Sequence, residues 1–368
     1  MDDFFGMDDA ALTAPERRRG RGAVSNRSGR FERETRVAFQ DGWEEDADDA
    51  PAPIRTRLIA DSSRKVIART TSPDLPFDRS INPYRGCEHG CVYCFARPSH
   101  AFLGLSPGID FETKILVKRD AAALLEGELR APSYACAPIA IGTNTDAYQP
   151  AEKEERVMRA VLEVLRAHRH PVSVVTKGAL VTRDADILGE MGRAGLAKVT
   201  ISLTTMDHKL SRAMEPRAAS PQTRLRAIRT LSRAGCPVGV LIAPVVPAVT
   251  DHEIERLLEA AAAAGATSAG WIALRLPLEV EGIFEEWLRE AMPDRADRVL
   301  NRVRELHGGK AYDSAFGRRM TGQGVWSALI RRRFEAAARR FGLDRKGAAL
   351  RTDLFRVPAR PGDQLALF

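Results

Sequence analysis

The chain has 368 residues, 44% hydrophobic, 29% charged and 6% aromatic, which is too apolar for a wholly disordered polymer and long enough for one large α/β domain with appendages or two medium ones. Basic residues outnumber acidic ones 56 to 49, a net charge of +7 with pI near 9.3; this favours a polyanionic partner such as nucleic acid without requiring one. No run of about 18 apolar residues occurs, which excludes a transmembrane helix, and the acidic start MDDFFGMDD has no signal-peptide core, so a cytoplasmic protein is expected.

Residues 1–55 read as a disordered charged tail. Arg17, Arg18, Arg19, Arg21, Arg27, Arg30, Arg33 and Arg36 form a basic block, and Asp41, Glu44, Glu45, Asp46, Asp48 and Asp49 an acidic one. Opposed charge blocks without apolar periodicity favour a solvated segment. Residues 56–276 carry the folded core. Strands are predicted near 81–84, 138–142, 172–176, 198–203, 238–243 and 269–274, with helices near 152–168, 183–194, 222–234 and 251–264. Gly195, Gly235 and Gly265 sit where glycines end helices, and Asp251 where a carboxylate starts one. Alternating strand and helix at this spacing predicts a parallel sheet with right-handed crossovers. About six such units predict an α/β, partial (β/α)6 TIM-like barrel. Residues 277–357 predict a helical, arginine-rich extension, with helices near 283–291, 296–306 and 325–341, and residues 358–368 a flexible tail.

Three of the five cysteines fall within eight residues, as Cys87-Glu-His-Gly-Cys91-Val-Tyr-Cys94. Five cysteines make no disulfide framework in a chain this long, and thiolates so clustered hold zinc or an iron–sulfur cluster. A four-iron cluster held by three cysteines keeps one iron open for a ligand. A zinc site completed by His89 is the alternative. The cluster follows the first strand, at the face where barrels place their chemistry.

The run Asn82-Pro-Tyr-Arg-Gly-Cys-Glu-His-Gly-Cys-Val-Tyr-Cys-Phe-Ala-Arg-Pro-Ser-His100 resembles the radical SAM superfamily, in the bacterial branch related to spore photoproduct lyase. The resemblance extends to about Ala315. It implies a [4Fe-4S] cluster on Cys87, Cys91 and Cys94 whose open iron binds S-adenosylmethionine. One electron, from a donor such as flavodoxin or ferredoxin, then cleaves the sulfonium to give a 5′-deoxyadenosyl radical. It also implies cofactor-binding roles for Tyr93 near the adenine, for Gly142, Thr143, Asn144 and Asp146 after the second strand, and for Lys177 and Ser202 at later strands. Glu215 and Arg224 would meet the ribose or carboxylate end, unless they form a structural ion pair. One departure stands out. Spore photoproduct lyase has a hydrogen-donating cysteine near its second strand end, where this chain reads Ile139-Ala-Ile-Gly-Thr-Asn144; Cys136 lies upstream and Cys236 reads as core. No second cysteine cluster exists, so enzymes with an auxiliary cluster are disfavoured.

The chain ends Gln364-Leu365-Ala-Leu367-Phe368, which resembles the peptide by which bacterial DNA repair and replication proteins bind the sliding clamp. Gln364 would bond at the edge of a cleft that takes Leu365, Leu367 and Phe368. The expectation is a radical SAM enzyme acting on nucleic acid, in a DNA-repair-like role. A protein or small-molecule substrate, or a non-enzymatic metal-stabilised clamp adaptor, are the alternatives.

Overall fold

The structure, a computed structural model, describes residues 12–32, 52–345, 347 and 349–359. In chain order the strands are β1 (Arg57–Ala60), β2 (Ile67–Arg69), β3 (Arg79–Ile81), β4 (Tyr84–Arg85), β5 (Lys114–Val117), β6 (Ile139–Ile141), β7 (Val172–Thr176), β8 (Ala197–Ser202), β9 (Val238–Val245) and β10 (Ser268–Ala273). The helices are α1 (Ile109–Thr113), α2 (Ala121–Leu129), α3 (Glu152–Glu155), α4 (Val157–Ala167), α5 (Ala185–Arg193), α6 (His208–Met214), α7 (Pro221–Arg233), α8 (Ile254–Ala264), α9 (Val280–Ala291), α10 (Ala296–Leu306) and α11 (Gly324–Arg340).

The main sheet has seven strands in the order β10-β9-β8-β7-β6-β3-β2. Every pairing from β3 to β10 is parallel, and only the β2 edge is antiparallel. The strands of this sheet follow one another in chain order, with β4 and β5 set aside in a second sheet, so each crossover moves one strand along and the sheet curls as a partial barrel that does not close. Strand residues such as Ile139, Ile141, Val172, Val174, Val199 and Val240 are buried together with the apolar stripes of α4, α5, α7 and α8. Along β7 and β8 burial alternates, one face fully buried against the helices and the other only partly, the period of two that successive strand side chains impose.

The predicted strands appear within a few residues. The first one splits: β3 ends at Ile81 and β4 begins at Tyr84, on either side of Asn82-Pro83, because proline has no N–H for a sheet ladder. The helix predicted over 152–168 also splits, at Arg156, which adopts φ 51°. Gly195, Gly235 and Gly265 have φ of 73°, 88° and 103°, as the helix ends require. Asp251 does not cap α8 with its side chain; it opens a short 3-10 turn ahead of that helix. A second sheet, β1-β5-β4, was not predicted. Its strands are two to four residues long, too short to show a period.

The expected disordered tail needs correction over its described part. Ala23, Val24 and Ser25 are buried, and Thr13 N donates to Val24 O at 3.0 Å. Three arginines of this stretch are matched by carboxylates of α9 or the residue before it: Arg18 pairs with Glu290, Arg27 with Glu286 and Arg30 with Glu279. Read locally, those charges look solvated; their partners lie some 250 residues or more away. The acidic block at 41–49 and the peptide at 364–368 lie outside the described residues. Among the described residues, no helix is long and apolar enough to cross a membrane.

Candidate active site

The cysteine loop leaves β4 at the carboxyl end of the first parallel strand and is anchored on every side by buried polar groups. Cys87 and Cys91 are buried and Cys94 is half-buried. Cys87 N donates to Phe111 O at 2.9 Å. Arg97, fully buried, donates from Nε to Cys91 O at 3.0 Å, from Nη1 to Pro107 O and Gly108 O at 3.0 Å each, and from Nη2 to Glu112 Oε1 at 2.5 Å. Gly90 turns the loop with φ 68°, and a Cβ there would stand 2.7 Å from Glu112 Oε2. Only glycine meets both demands.

Two polar networks flank the loop. The first grows from the segment after β6. Asp146 accepts from Thr176 Oγ1 at 2.6 Å and from Lys177 N at 2.7 Å, and it lies 3.3 Å from His89 Nδ1. Burial acts to raise the Asp146 pKa, but His89 and the donors from Thr176 and Lys177 outweigh it, so its carboxyl lies well below the usual range. Gln149 accepts from Glu88 N at 2.8 Å and donates to Gly86 O at 3.2 Å. Thr145 Oγ1 donates to Tyr84 O at 2.6 Å, and Asn144 N to Asn82 Oδ1 at 3.1 Å. Gly142 (φ 81°) and Thr143 begin this segment at the rim of β6. Asp146 and its neighbours therefore fasten the cysteine loop to the ends of β6 and β7.

The second network centres on Glu215. Its carboxylate accepts from the Tyr93 hydroxyl, from Thr204 Oγ1 at 2.8 Å, and from Arg224 in an ion pair. Arg224 also donates to Ser202 O at 3.1 Å and Ala219 O at 2.8 Å. Desolvation pushes the Glu215 pKa up, yet the charges of Arg224 and then Lys177 bring it below the usual glutamate range. Burial, then Glu215, push the Tyr93 phenol well above its ordinary pKa, so it stays a donor. Of the two roles expected for Glu215 and Arg224, the structure shows the ion pair: Arg224 is buried and all three of its nitrogens have acceptors. Lys177 differs. Its Nζ lies 5.7 Å from the Tyr93 ring centre, and no carboxylate among the described residues lies within ion-pair distance of it. Ser202 ends β8, buried beside these groups.

The predicted site residues thus converge on one loop, Tyr93, Ser202, Glu215, Arg224 and Lys177 on one side and Asn144 and Asp146 on the other. Gln149, Thr204, Arg97 and Glu112 complete it and were missed, and His89, considered only as a zinc ligand, is held against Asp146. Arg97 stands inside the recognised run, but nothing local marks Glu112 or Gln149.

The donor set fits a soft metal body. Burial, then neighbouring Asp146, raises the Cys87 thiol well above its normal pKa, and burial, then Glu215, raises Cys91 to about 12. Such thiols become thiolates when a metal takes the proton's place. Among the described residues, no three His, Cys, Asp or Glu side chains form a ready-made single-ion site. A multi-iron body meets its cysteines at separate corners.

At the rim, the half-exposed Phe95 carries Arg275 on its ring at 4.1 Å, and the exposed Phe316 carries Arg319 at 4.9 Å. Arg275 follows β10, interacts with Cys94, Tyr312 and Arg319, and has no carboxylate partner among the described residues. Arg319 does, Asp74 at 2.6 Å.

Comparison with known proteins matches residues 81–261 to the radical SAM superfamily model. An uncharacterised protein of Mycobacterium tuberculosis is 41% identical over 235 residues, 63% of this chain and 68% of that protein. One of Methanocaldococcus jannaschii is 26% identical over 199 residues, 54% of this chain and 71% of its own. In fold, the chain is similar to spore photoproduct lyase, at 16% identity and TM-score 0.57 over 77% of this chain and 79% of that one. Another structure of that lyase holds AdoMet and a dinucleoside spore photoproduct, with TM-score 0.56, 15% identity and coverage of 77% and 78%.

Proposed function

The chain belongs to the radical SAM superfamily, and from that premise we propose that it is an enzyme that cleaves S-adenosylmethionine reductively and uses the resulting radical on a nucleic acid. The observation that carries this is the loop of Cys87, Cys91 and Cys94, caged at the open end of a partial barrel. Membership implies a [4Fe-4S] cluster and S-adenosylmethionine, and these three thiols would hold the cluster. When bound, the pair supplies a 5′-deoxyadenosyl radical.

The protein's own part is to fix, orient and shield. Arg97 and Gln149 hold the loop's backbone in place, which would orient the thiols toward the cluster. Lys177, left without a carboxylate, would meet the carboxylate of S-adenosylmethionine. Tyr93 is locked by Glu215 and Thr204 and would offer its ring to the adenine. Val246, Leu274, Leu276 and Phe284 pack around the loop and keep water from its inner side.

A nucleic-acid substrate is supported by the rim. Phe95 and Phe316 offer faces for base stacking, and Arg275 a charge that phosphate would satisfy. The basic extension is a weaker support, because Arg318, Arg319, Arg333 and Arg351 already pair with carboxylates. The hydrogen-donating cysteine of the lyase has no counterpart at 139–144, so the lesion or base acted on would differ from the lyase's. The peptide at 364–368 would tether the enzyme to the sliding clamp, and a flavodoxin or ferredoxin would supply the electron.

The test is anaerobic reconstitution followed by analysis for 5′-deoxyadenosine, then incubation with deuterated DNA substrates. Deuterium in 5′-deoxyadenosine is the expected result; an iron-loaded protein that never forms 5′-deoxyadenosine would end the proposal. Two further results are expected. Phe95→Ala should weaken single-stranded DNA binding by about 1–3 kcal/mol, the range for loss of one base–aromatic stack, while leaving iron content unchanged. Removing residues 364–368 should abolish clamp binding in a pull-down and leave the cleavage rate as it was.

A further inference from the structure

The cysteine loop is not held by the barrel alone. Gly22 N and Ala23 N donate to the two oxygens of Glu112 at 2.9 and 2.8 Å, and the same carboxylate takes Arg97, which holds Cys91 O. Glu112 is fully buried. Arg21 donates to Glu112 O at 2.9 Å and to Thr56 Oγ1 at 3.0 Å, and Thr56 passes a hydrogen bond of 2.5 Å to Glu88, next to Cys87. Gly22 lies so close to the loop that a Cβ on it would stand 1.8 Å from Gly90 O. Val24 packs in one apolar cluster with Cys91, Val92 and Tyr93. Outward of these, Arg18, Arg27 and Arg30 pin the segment to Glu290, Glu286 and Glu279.

We propose that residues 21–24 are a positioning strap for the cysteine loop, knotted at Glu112, so that docking of the strap and retention of the iron–sulfur cluster stabilise one another. The inference rests on the cysteines being the cluster ligands. Its physical basis is that Glu112 has one buried carboxylate for two elements. If the strap leaves, two N–H donors are lost, the carboxylate and Arg97 face water, and the Cys91 backbone loses its fixed anchor. Second-layer partners of this kind set metal affinity by orienting the ligands. Linkage then requires the reverse effect, in which a loaded cluster holds the strap in place.

The experiment uses the full-length chain. Gly22→Ala, which cannot keep the 1.8 Å approach to Gly90 O, is expected to hold iron about 10-fold less tightly against a chelator after anaerobic reconstitution. In the unaltered protein, cluster loading is expected to slow tryptic cleavage after the exposed Arg17 and Arg19. This second measurement stands even if the variant does not fold. Equal cleavage rates with and without the cluster would overturn the inference, as would a variant whose strap is cleaved faster while its iron retention matches the parent. If the parent itself takes up no iron, the reading of the cysteines fails and the strap inference falls with it.

Discussion

Cys91→Ser is expected to abolish cluster assembly and, with it, all formation of 5′-deoxyadenosine from S-adenosylmethionine. Serine preserves the shape of the buried side chain, so the loop, held through Cys91 O by Arg97, should keep its fold. What changes is the donor. A thiolate is a soft ligand for iron, whereas an alkoxide at this position is both hard and far more costly to form. The effect should exceed the roughly 10–100-fold penalty that follows loss of an outer partner of a metal ligand. Iron and sulfide analysis of oxygen-free protein, together with product chromatography, measures both quantities. Cys136→Ser and Cys236→Ser are the controls. Cys136 lies upstream of β6 and Cys236 is buried in the main core, and neither should alter iron content. Full iron content and full activity in Cys91→Ser would remove the basis of the proposed chemistry.

The second large effect concerns stability. Glu215→Ala leaves the Arg224 guanidinium buried with only carbonyl oxygens around it, and removing one member of a buried pair costs about 3–5 kcal/mol. Denaturant titration should show that loss as a lower midpoint. The Tyr93 hydroxyl, whose remaining neighbour would be Thr204 Oγ1 at 3.4 Å, should also lose its fixed orientation. The pH dependence has a definite sign. Because the Glu215 pKa is lower in the folded chain than in the unfolded one, the pair's contribution is complete above the ordinary glutamate range. It is lost as the pH falls through the depressed folded value. The difference in stability between parent and Glu215→Ala should therefore shrink on acidification. A difference that grows in acid would contradict the ionised pair.

The strap and the pair show different faces of the same design. Both place a buried carboxylate where several elements meet, and both carboxylates answer an arginine that also bonds backbone carbonyls: Arg97 at the cysteine loop and Arg224 at the end of β8. The chemistry proposed for the site needs thiols and a cofactor pocket that do not shift while an open-shell species is present. Fixed charge networks supply that rigidity more directionally than apolar packing does.

The parts determined by the sequence itself are local ones. Thiols three and four positions apart are brought together by the chain's own connectivity, whatever the rest of the protein does. Strands and helices of the parallel sheet reveal themselves through short-range apolar period and terminal glycines. The tertiary structure alone decided which charges meet. Arg21 and Arg27 look like a solvated basic block until Glu112 and Glu286, some 90 and 260 residues away, are folded beside them. Glu215 and Arg224 left two readings open, since residue types allow a ligand contact or an ion pair, and the fold brings the two together as a buried pair. Gln149 and Glu112 had no local signature, because a single polar side chain carries no period. Their roles come from desolvation, which forces each buried donor or acceptor to find a partner wherever the fold presents one.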